Sequence, residues 1–284
     1  MAEERSFPKG TQPEGATSEQ DASQKVREMF TRIAPRYDLL NHLLSGRMDK
    51  RWRARTAREL QAILGRADAV VLDLCCGTGD LAFALARGAK ARIIGADFSH
   101  TMLVRAREKS TAEGNGARLV EFFEADALRL PFADEAFDLV TTAFGFRNLA
   151  NYEAGLREIL RVLKPGGTLA ILEFTEPAPG VIGDLYRFYC RNVLPLIGGM
   201  ISGNAAAYRY LPKSVARFFR PEEFVAQLRQ VGYAEARYVL MTFGTVALHV
   251  GGKSERVKEC AGGAEDGVGK RRDHWRGGLR NGRD

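Results

Sequence analysis

Residues 71–81, VLDLCCGTGDL, leave few folds open to this chain. The apolar run predicts a buried strand ending at Asp73, and Gly77 and Gly79 predict a turn that opens directly into a helix. Such a turn brings bare backbone and a helix N-terminus against a small ligand, an arrangement that belongs to open parallel sheets. The next apolar run, RIIGA at 92–96, ends in Asp97, about 20 residues beyond the glycines, where an acid grips ribose hydroxyls. A nucleoside-containing ligand is therefore predicted, against the blander reading of a structural turn.

The arrangement of the glycines chooses among nucleosides. Gly77-Thr78-Gly79, completed by Ala82, matches the G-x-G-x-x-G/A of dinucleotide sites only weakly. Asp73 and Asp80 flank the turn, and two carboxylates repel a pyrophosphate but suit a ligand carrying an ammonium and a sulfonium. S-adenosylmethionine is such a ligand. The string resembles the first motif of the class I methyltransferases, D/E-x-G-x-G-x-G, with Cys75 standing at the first glycine.

At 284 residues, 45% hydrophobic and 27% charged, the chain can bury one sizeable core, as one α/β domain with additions. Its net charge of +7 permits attraction to anionic lipid or nucleic acid, but Lys and Arg are scattered and crowd only at the C-terminus, as a solvated surface would have them. Cys75, Cys76, Cys190 and Cys260 lack C-x-x-C spacing and the four histidines are dispersed, so neither a metal nor a disulfide framework is indicated. A reducing cytosol fits these cysteines. Residues 1–24 are polar and rich in Gly, Pro and Glu, and read as a disordered tail; residues 251–284 read as a second, basic one. No run of 18 uncharged apolar residues spans a membrane.

Between the tails, residues 25–250 alternate strand and helix, which predicts a doubly wound α/β fold with a mostly parallel sheet. Strands are expected at Asp73, at Asp97, before Asp126, over 137–144 and over 168–174, each but the last followed by a helix or loop. Lys164-Pro165-Gly166-Gly167 reads as a sharp turn before the fifth strand. PEEFVAQLRQV predicts a helix stopped by Gly232, and the last two apolar runs a hairpin at the sheet edge. This order resembles the seven-stranded, Rossmann-like class I methyltransferase sheet, whose ligands lie outside the carboxyl ends of the strands. Helical N-terminal and lid segments complete the expected architecture.

Two further strings narrow the substrate. VREMFTRIAPRYDLLNHLLSGRMDKRWR at 26–53 and FGFRNLANYEAGLREILRVLKPGGTLAILEF at 144–174 resemble the signatures of the quinone-biosynthesis C-methyltransferases. The likeness covers roughly residues 26–250, and it implies demethylmenaquinol as methyl acceptor or, in the ubiquinone branch, a 2-methoxy-6-polyprenyl-1,4-benzoquinol. It also implies that Tyr37, Asp73, Gly77, Thr78, Gly79, Asp97, Asp126 and Ala127 meet S-adenosylmethionine, and that Phe144, Arg147, Tyr208 and Tyr210 meet the quinol. For Asp126, a carboxylate that merely caps its own loop is the competing reading. Relatives often carry serine where this chain has Ala143, with Thr141 and Thr142 beside it.

The chemistry follows from the acceptor. Methyl transfer to carbon is an in-line displacement, so donor and ring must be aligned and the ring carbon made electron-rich. A hydroquinone becomes electron-rich as a hydroxyl loses its proton; the reduced quinol is the substrate. Arg147 is the candidate for stabilising the phenolate, directly or through water, with Asn148 orienting that water. The alternative has Arg147 paired with a carboxylate and Asn148 capping the next helix. Tyr37 and Asp38 are read as closing over the cofactor, with Asp38 a candidate proton acceptor, against a packing tyrosine and a surface carboxylate.

Residues 181–202, apolar and aromatic but interrupted by Asp184, Arg187 and Arg191, read either as core or as a lid and channel for a polyprenyl tail. A tailed quinol implies transient contact of a cytoplasmic protein with the inner membrane face; the oligomeric state, a homodimer included, stays open. An NAD-dependent oxidoreductase is the competing enzyme reading. A nucleic-acid methyltransferase is disfavoured, because the N/D-P-P-Y/F motif and aromatics interleaved with the basic tail are both missing.

Overall fold

Strand β1 (Val70–Leu74) lies inside the sheet with a strand on either side, buried on both faces as its Val-Val-Leu-Asp-Leu sequence requires. The computed structural model describes residues 10–112, 120–178, 180–189, 192 and 205–255. Among these, seven strands form one sheet: β1, β2 (Arg92–Asp97), β3 (Val120–Glu124), β4 (Phe137–Ala143), β5 (Leu163–Phe174), β6 (Tyr233–Met241) and β7 (Val246–Lys253). Their order is β3-β2-β1-β4-β5-β7-β6, parallel except for β7, which runs antiparallel to both its neighbours. The chain winds outward from β1 to β3 and returns to pair β4 with β1. Strand order therefore reverses between β1 and β4, the place where such sheets bind ligands.

Two apolar layers flank the sheet. One is supplied by α3 (Met48–Glu59), α4 (Gln61–Leu64), α5 (Asp80–Ala86) and α6 (His100–Ala112), through Trp52, Leu64, Phe83 and Leu103. The other is supplied by α7 (Tyr152–Val162) and the helix Pro221–Val231, through Leu156, Ile159, Phe224 and Leu228. Each such fully buried side chain contributes about 1.5–3 kcal/mol. In α7 the spacing of Leu156, Ile159 and Val162 keeps one stripe inward, and Asn151 caps the helix by accepting from the Ala154 N–H at 3.0 Å. The helix Pro221–Val231 ends as expected at Gly232, in the left-handed region at φ 116°.

Three expectations need correction. First, the N-terminal stretch read as a tail is ordered from residue 10: Thr11 is buried, and α1 (Glu19–Ile33) starts at a Ser18 cap inside that stretch. Polar capping residues hid the helix start, while its buried stripe of Ala22, Val26 and Ile33 lies mostly beyond the expected boundary. Second, residues 164–167 form no free turn. Strand β5 follows α7 directly, and the pairing with β4 jumps from Phe137↔Leu163 to Leu139↔Thr168, so the Lys-Pro-Gly-Gly segment is a bulge within the strand. Third, β7 continues to Lys253, past the expected boundary, because Gly251 and Gly252 still pair with β5. Residues 256–284 of the expected basic tail lie outside the described residues.

The helical additions sit over the carboxyl ends of the strands. They are α1, α2 (Tyr37–Leu44), α8 (Val181–Phe188) and α9 (Ala205–Arg217), with α10 the helix Pro221–Val231 already described. Ile33 of α1, Tyr189 and Leu211 of α9 pack together as a small separate apolar cluster. Among the described residues no helix is long and apolar enough to cross a membrane.

Candidate functional site

The loop after β1 is built on three left-handed residues, Cys75 (φ 54°), Gly77 (φ 56°) and Gly79 (φ 85°). Cys75, at the position where the motif carries glycine, adopts the glycine conformation, a strain of about 1–3 kcal/mol held by its surroundings. At Gly79 a Cβ would lie 2.9 Å from the Phe83 ring, so glycine is required for packing as well. Two backbone bonds tie the loop to the end of β2: Cys76 N–H to the Ala96 carbonyl at 3.0 Å, and Gly77 N–H to Asp97 Oδ2 at 2.8 Å.

Asp97 also accepts from Ser99 N–H at 2.9 Å through Oδ1. Each of its oxygens keeps a further lone pair for a ribose hydroxyl. Burial pushes its carboxyl up to about 6, opposed by those two N–H donors. Asp97, Gly77, Asp126 and Ala127 line a cleft together with Tyr37, Phe98, Met102 and Asn148. Asp126 lines this cleft, is exposed and also holds its own loop by accepting from Leu128 N–H at 2.9 Å.

Asp73 and Thr78 lie beside this cleft, in a small cavity of about 20 Å³ that they line with Arg53, Asp80 and Ala143. Asp73 accepts from Thr141 Oγ1 at 2.9 Å, its partner residue on β4, and burial drives its carboxyl up to about 7. Thr141 is thereby committed to Asp73, while the buried Thr142 hydroxyl has no hydrogen-bond partner among the described residues.

A larger cavity, about 350 Å³, opens on the other side of Tyr37 and Phe144, which line both. Its walls are apolar and aromatic: Met29, Phe30, Ile33, Trp52, Phe174 and Tyr189 contribute, along with Tyr210 and Leu211. Phe144, left-handed at φ 59°, packs 4.4 Å from the Phe174 ring and 5.9 Å from Trp52. Arg147 lines the same cavity. Its Nη1 bonds Glu173 at 3.0 Å and the Phe144 carbonyl, its Nε bonds Ser214 at 3.3 Å, and Nη2 takes part in none of these bonds. Glu173 is fully buried, which raises its carboxyl despite the adjacent guanidinium, and Arg147 is held firmly charged by it.

Arg147 therefore has the carboxylate partner of one reading, and its place on the cavity wall leaves it within reach of a ligand there. Asn148 is no helix cap; that role belongs to Asn151. It donates to the Phe144 carbonyl at 3.3 Å and accepts from Tyr210 Oη at 3.0 Å, and it faces the cofactor cleft. Asp38 is placed elsewhere than expected: it accepts from Thr78 at 2.5 Å and pairs with Lys109 at 2.9 Å, and it lines neither large cavity. An ion-paired carboxylate behind the loop supports Thr78. Tyr208 lies on α9 with its side chain outside the described residues.

Sequence reasoning missed Trp52, Arg53, Asp49 and Glu173. The α3 sequence MDKRWRARTARE reads as a solvated basic helix, yet Arg53 and Asp49 are buried. His42, Asp49 and Asp80 converge within 4.8 Å, but the Arg53 guanidinium pairs with both carboxylates and supplies the cation there. Only the Trp52 indole, amid charges, marked this face as apolar.

The profile of the ubiE/COQ5 methyltransferase family matches residues 18–253. The chain is 53% identical over 224 residues to the demethylmenaquinone methyltransferase of Thermus thermophilus, covering 78% of this chain and 99% of that protein. It is 49% identical over 235 residues to the demethylmenaquinone methyltransferase of Deinococcus radiodurans, covering 82% and 95%. Its fold is also similar to the crystal structure of a SAM-dependent methyltransferase from Thermotoga maritima, with a TM-score of 0.56 at 20% identity, covering 81% of this chain and 100% of that one. Dinucleotide chemistry is set aside by these likenesses, and with a glycine loop, a buried acid at the end of β2 and an apolar second cavity in one rim, the chain belongs to the ubiE/COQ5 methyltransferase family.

Proposed function

We propose that this chain is a demethylmenaquinone methyltransferase, converting demethylmenaquinol to menaquinol and S-adenosyl-L-methionine to S-adenosylhomocysteine. The observation that carries the reading is the shared wall of the two large cavities, where Tyr37 and Phe144 separate a polar cleft suited to a nucleoside from an apolar one suited to a naphthoquinol. S-adenosylmethionine, when bound, supplies an electrophilic methyl group on its sulfonium. The aromatic walls of the larger cavity hold the ring plane and exclude water from it. Arg147 presents its Nη2 edge to a ring oxygen, favouring the phenolate and so the electron-rich ring carbon. Glu173 and Ser214 fix the guanidinium in that pose. The proton lost in forming the phenolate is the one released overall. Once the ring carbon carries the methyl group, its own proton returns to the ring oxygen and restores the quinol, while the electron pair of the broken bond stays on sulfur.

Exposed apolar residues support contact with a membrane. Val181, Leu185 and Phe188 lie on one side of α8 at helical spacing, 87%, 67% and 59% exposed, and Leu39 and Leu43 are exposed one turn apart on α2. Both helices also wall the larger cavity, through Tyr186 and Asn41. A cytoplasmic enzyme docking this rim on the inner membrane face would take its tailed quinol directly from the lipid.

The test is transfer of labelled methyl to short-chain analogues. Reduced demethylmenaquinol is methylated and the oxidised quinone is not; equal labelling of both, or of neither, rejects the reading. Preference for the reduced methoxy-benzoquinol moves the enzyme to the ubiquinone branch. Flotation with anionic vesicles tests the rim: Leu185→Ser with Phe188→Ser lowers lipid binding, and unchanged flotation rejects the docking face.

A further inference from the structure

Thr11 and Tyr210, 199 residues apart in sequence, share a hydrogen bond of 2.6 Å between their hydroxyls. Its direction follows from the neighbours. Tyr210 spends its single hydroxyl proton on Asn148 Oδ1 at 3.0 Å, so the Thr11 hydroxyl must donate to Tyr210. Asn148 in turn donates from Nδ2 to the Phe144 carbonyl, and the same carbonyl accepts from Arg147 Nη1. An ordered chain of bonds thus runs from residue 11 to the guanidinium on the wall of the larger cavity.

The same N-terminal segment bears on Arg147 by a second route. Ser214 of α9 accepts from Arg147 Nε, and the ties of α9 to residues 11 and 12 lie on either side of it in the helix, at Tyr210 and at Arg217. Pro212 interrupts the hydrogen-bond ladder of α9, so outside bonds must help to hold Ser214 in place. The segment itself is set in one register. Thr11 is buried, its N–H bonds the Leu149 carbonyl, and a Cβ at Gly10 would collide with the Ala150 carbonyl. We propose that Thr11 and Tyr210 are positioning residues for methyl transfer: the Thr11 hydroxyl fixes Tyr210, and Tyr210 fixes the Asn148 amide that shares the Phe144 carbonyl with Arg147. The assignment rests on the quinol-methylation reading above. It commits the Tyr210 proton to Asn148, so Tyr210 meets the quinol with its ring and gives it no proton. The competing role is purely structural, in which the bond only fastens the N-terminal segment to α9.

Steady-state methylation of a reduced short-chain demethylmenaquinol by the full-length protein separates the two. The wild type is compared with Thr11→Val, Thr11→Ser, Tyr210→Phe and the double variant Thr11→Val with Tyr210→Phe, and S-adenosylhomocysteine affinity is measured by calorimetry on each. Valine matches threonine in shape and removes only the hydroxyl. Thr11→Val is expected to lower kcat about three- to tenfold, the worth of one hydrogen bond between uncharged groups, and to leave S-adenosylhomocysteine affinity unchanged. Thr11→Ser restores the rate. The double variant is no slower than Tyr210→Phe alone, because the phenyl ring has already broken the chain. Losses that multiply in the double variant overturn the assignment. So does Thr11→Val that unfolds at a lower temperature yet keeps its kcat, or that loses S-adenosylhomocysteine affinity in step with kcat. Wild-type protein inactive on every reduced quinol overturns the methylation reading itself.

Discussion

Gly145 sits directly on Cys75: a Cβ built on Gly145 would lie 2.4 Å from the Cys75 Cβ. The turn after β4, which carries Arg147, is thus pressed against the loop after β1, which carries the cofactor residues. Gly145→Ala forces the two loops apart. The expected cost is about 1–3 kcal/mol of stability, with a disproportionate loss of S-adenosylmethionine affinity. Thermal unfolding and ligand titration on the same sample check it; a stability loss with normal affinity would show that the loops tolerate separation.

Arg147 and Glu173 form a buried pair whose structural and chemical roles can be separated. Arg147→Met strands a buried carboxylate and is expected to cost about 3–5 kcal/mol. Adding Glu173→Gln removes that charge while keeping an acceptor for the Arg147 and Phe174 N–H groups, and restores most of the stability. Quinol methylation stays low in the double variant. Recovery of turnover along with stability would reduce Arg147 to a structural residue.

Donor binding is expected to depend on pH through two buried acids. Asp97 at about 6 and Asp73 at about 7 lie above the ordinary 3.8. Between these values the unfolded chain has already released its protons, so the ligand-free protein loses stability as pH rises through that window. A cationic ligand favours the ionised acids, and its affinity therefore rises with pH. Titration near pH 6 in buffers of different ionisation enthalpy should show proton release, which vanishes by about pH 8.5. Equal proton release at both values would rule these acids out as its source.

Asp38→Asn distinguishes a support from a base. With Asp38 bound to Thr78 and Lys109, the substitution is expected to raise the KM for S-adenosylmethionine by at most about tenfold and leave the pH profile of kcat unmoved. A fall in kcat of about a hundredfold or more would restore it as proton acceptor.

The legible parts of this chain were the local ones. Asp73, the glycines and Asp97 declare themselves because strand, turn and acid follow in one short span, and Arg147 because its turn is distinctive. Arg53 and Asp49 were hidden because their significance lies across space: α3 alone reads as a basic surface helix, and only its packing on the β1 loop buries the pair. The pairing of Asp38 with Lys109 was hidden for the same reason, since Lys109 stands on a different helix. The Lys-Pro-Gly-Gly segment carries every mark of a turn, but pairing with β4 on either side absorbs it into a strand.

Residues 10–12 form a strap across the acceptor side. Thr11 N–H bonds the Leu149 carbonyl at 2.8 Å, its hydroxyl meets Tyr210 Oη at 2.6 Å, and the Gln12 carbonyl accepts from Arg217 at 2.9 Å. Tyr210 in turn holds Asn148, the neighbour of Arg147. Trimming the chain to Val26, or fusing an affinity handle at Thr11, therefore pulls at the seam that ties α9 to the turn after β4.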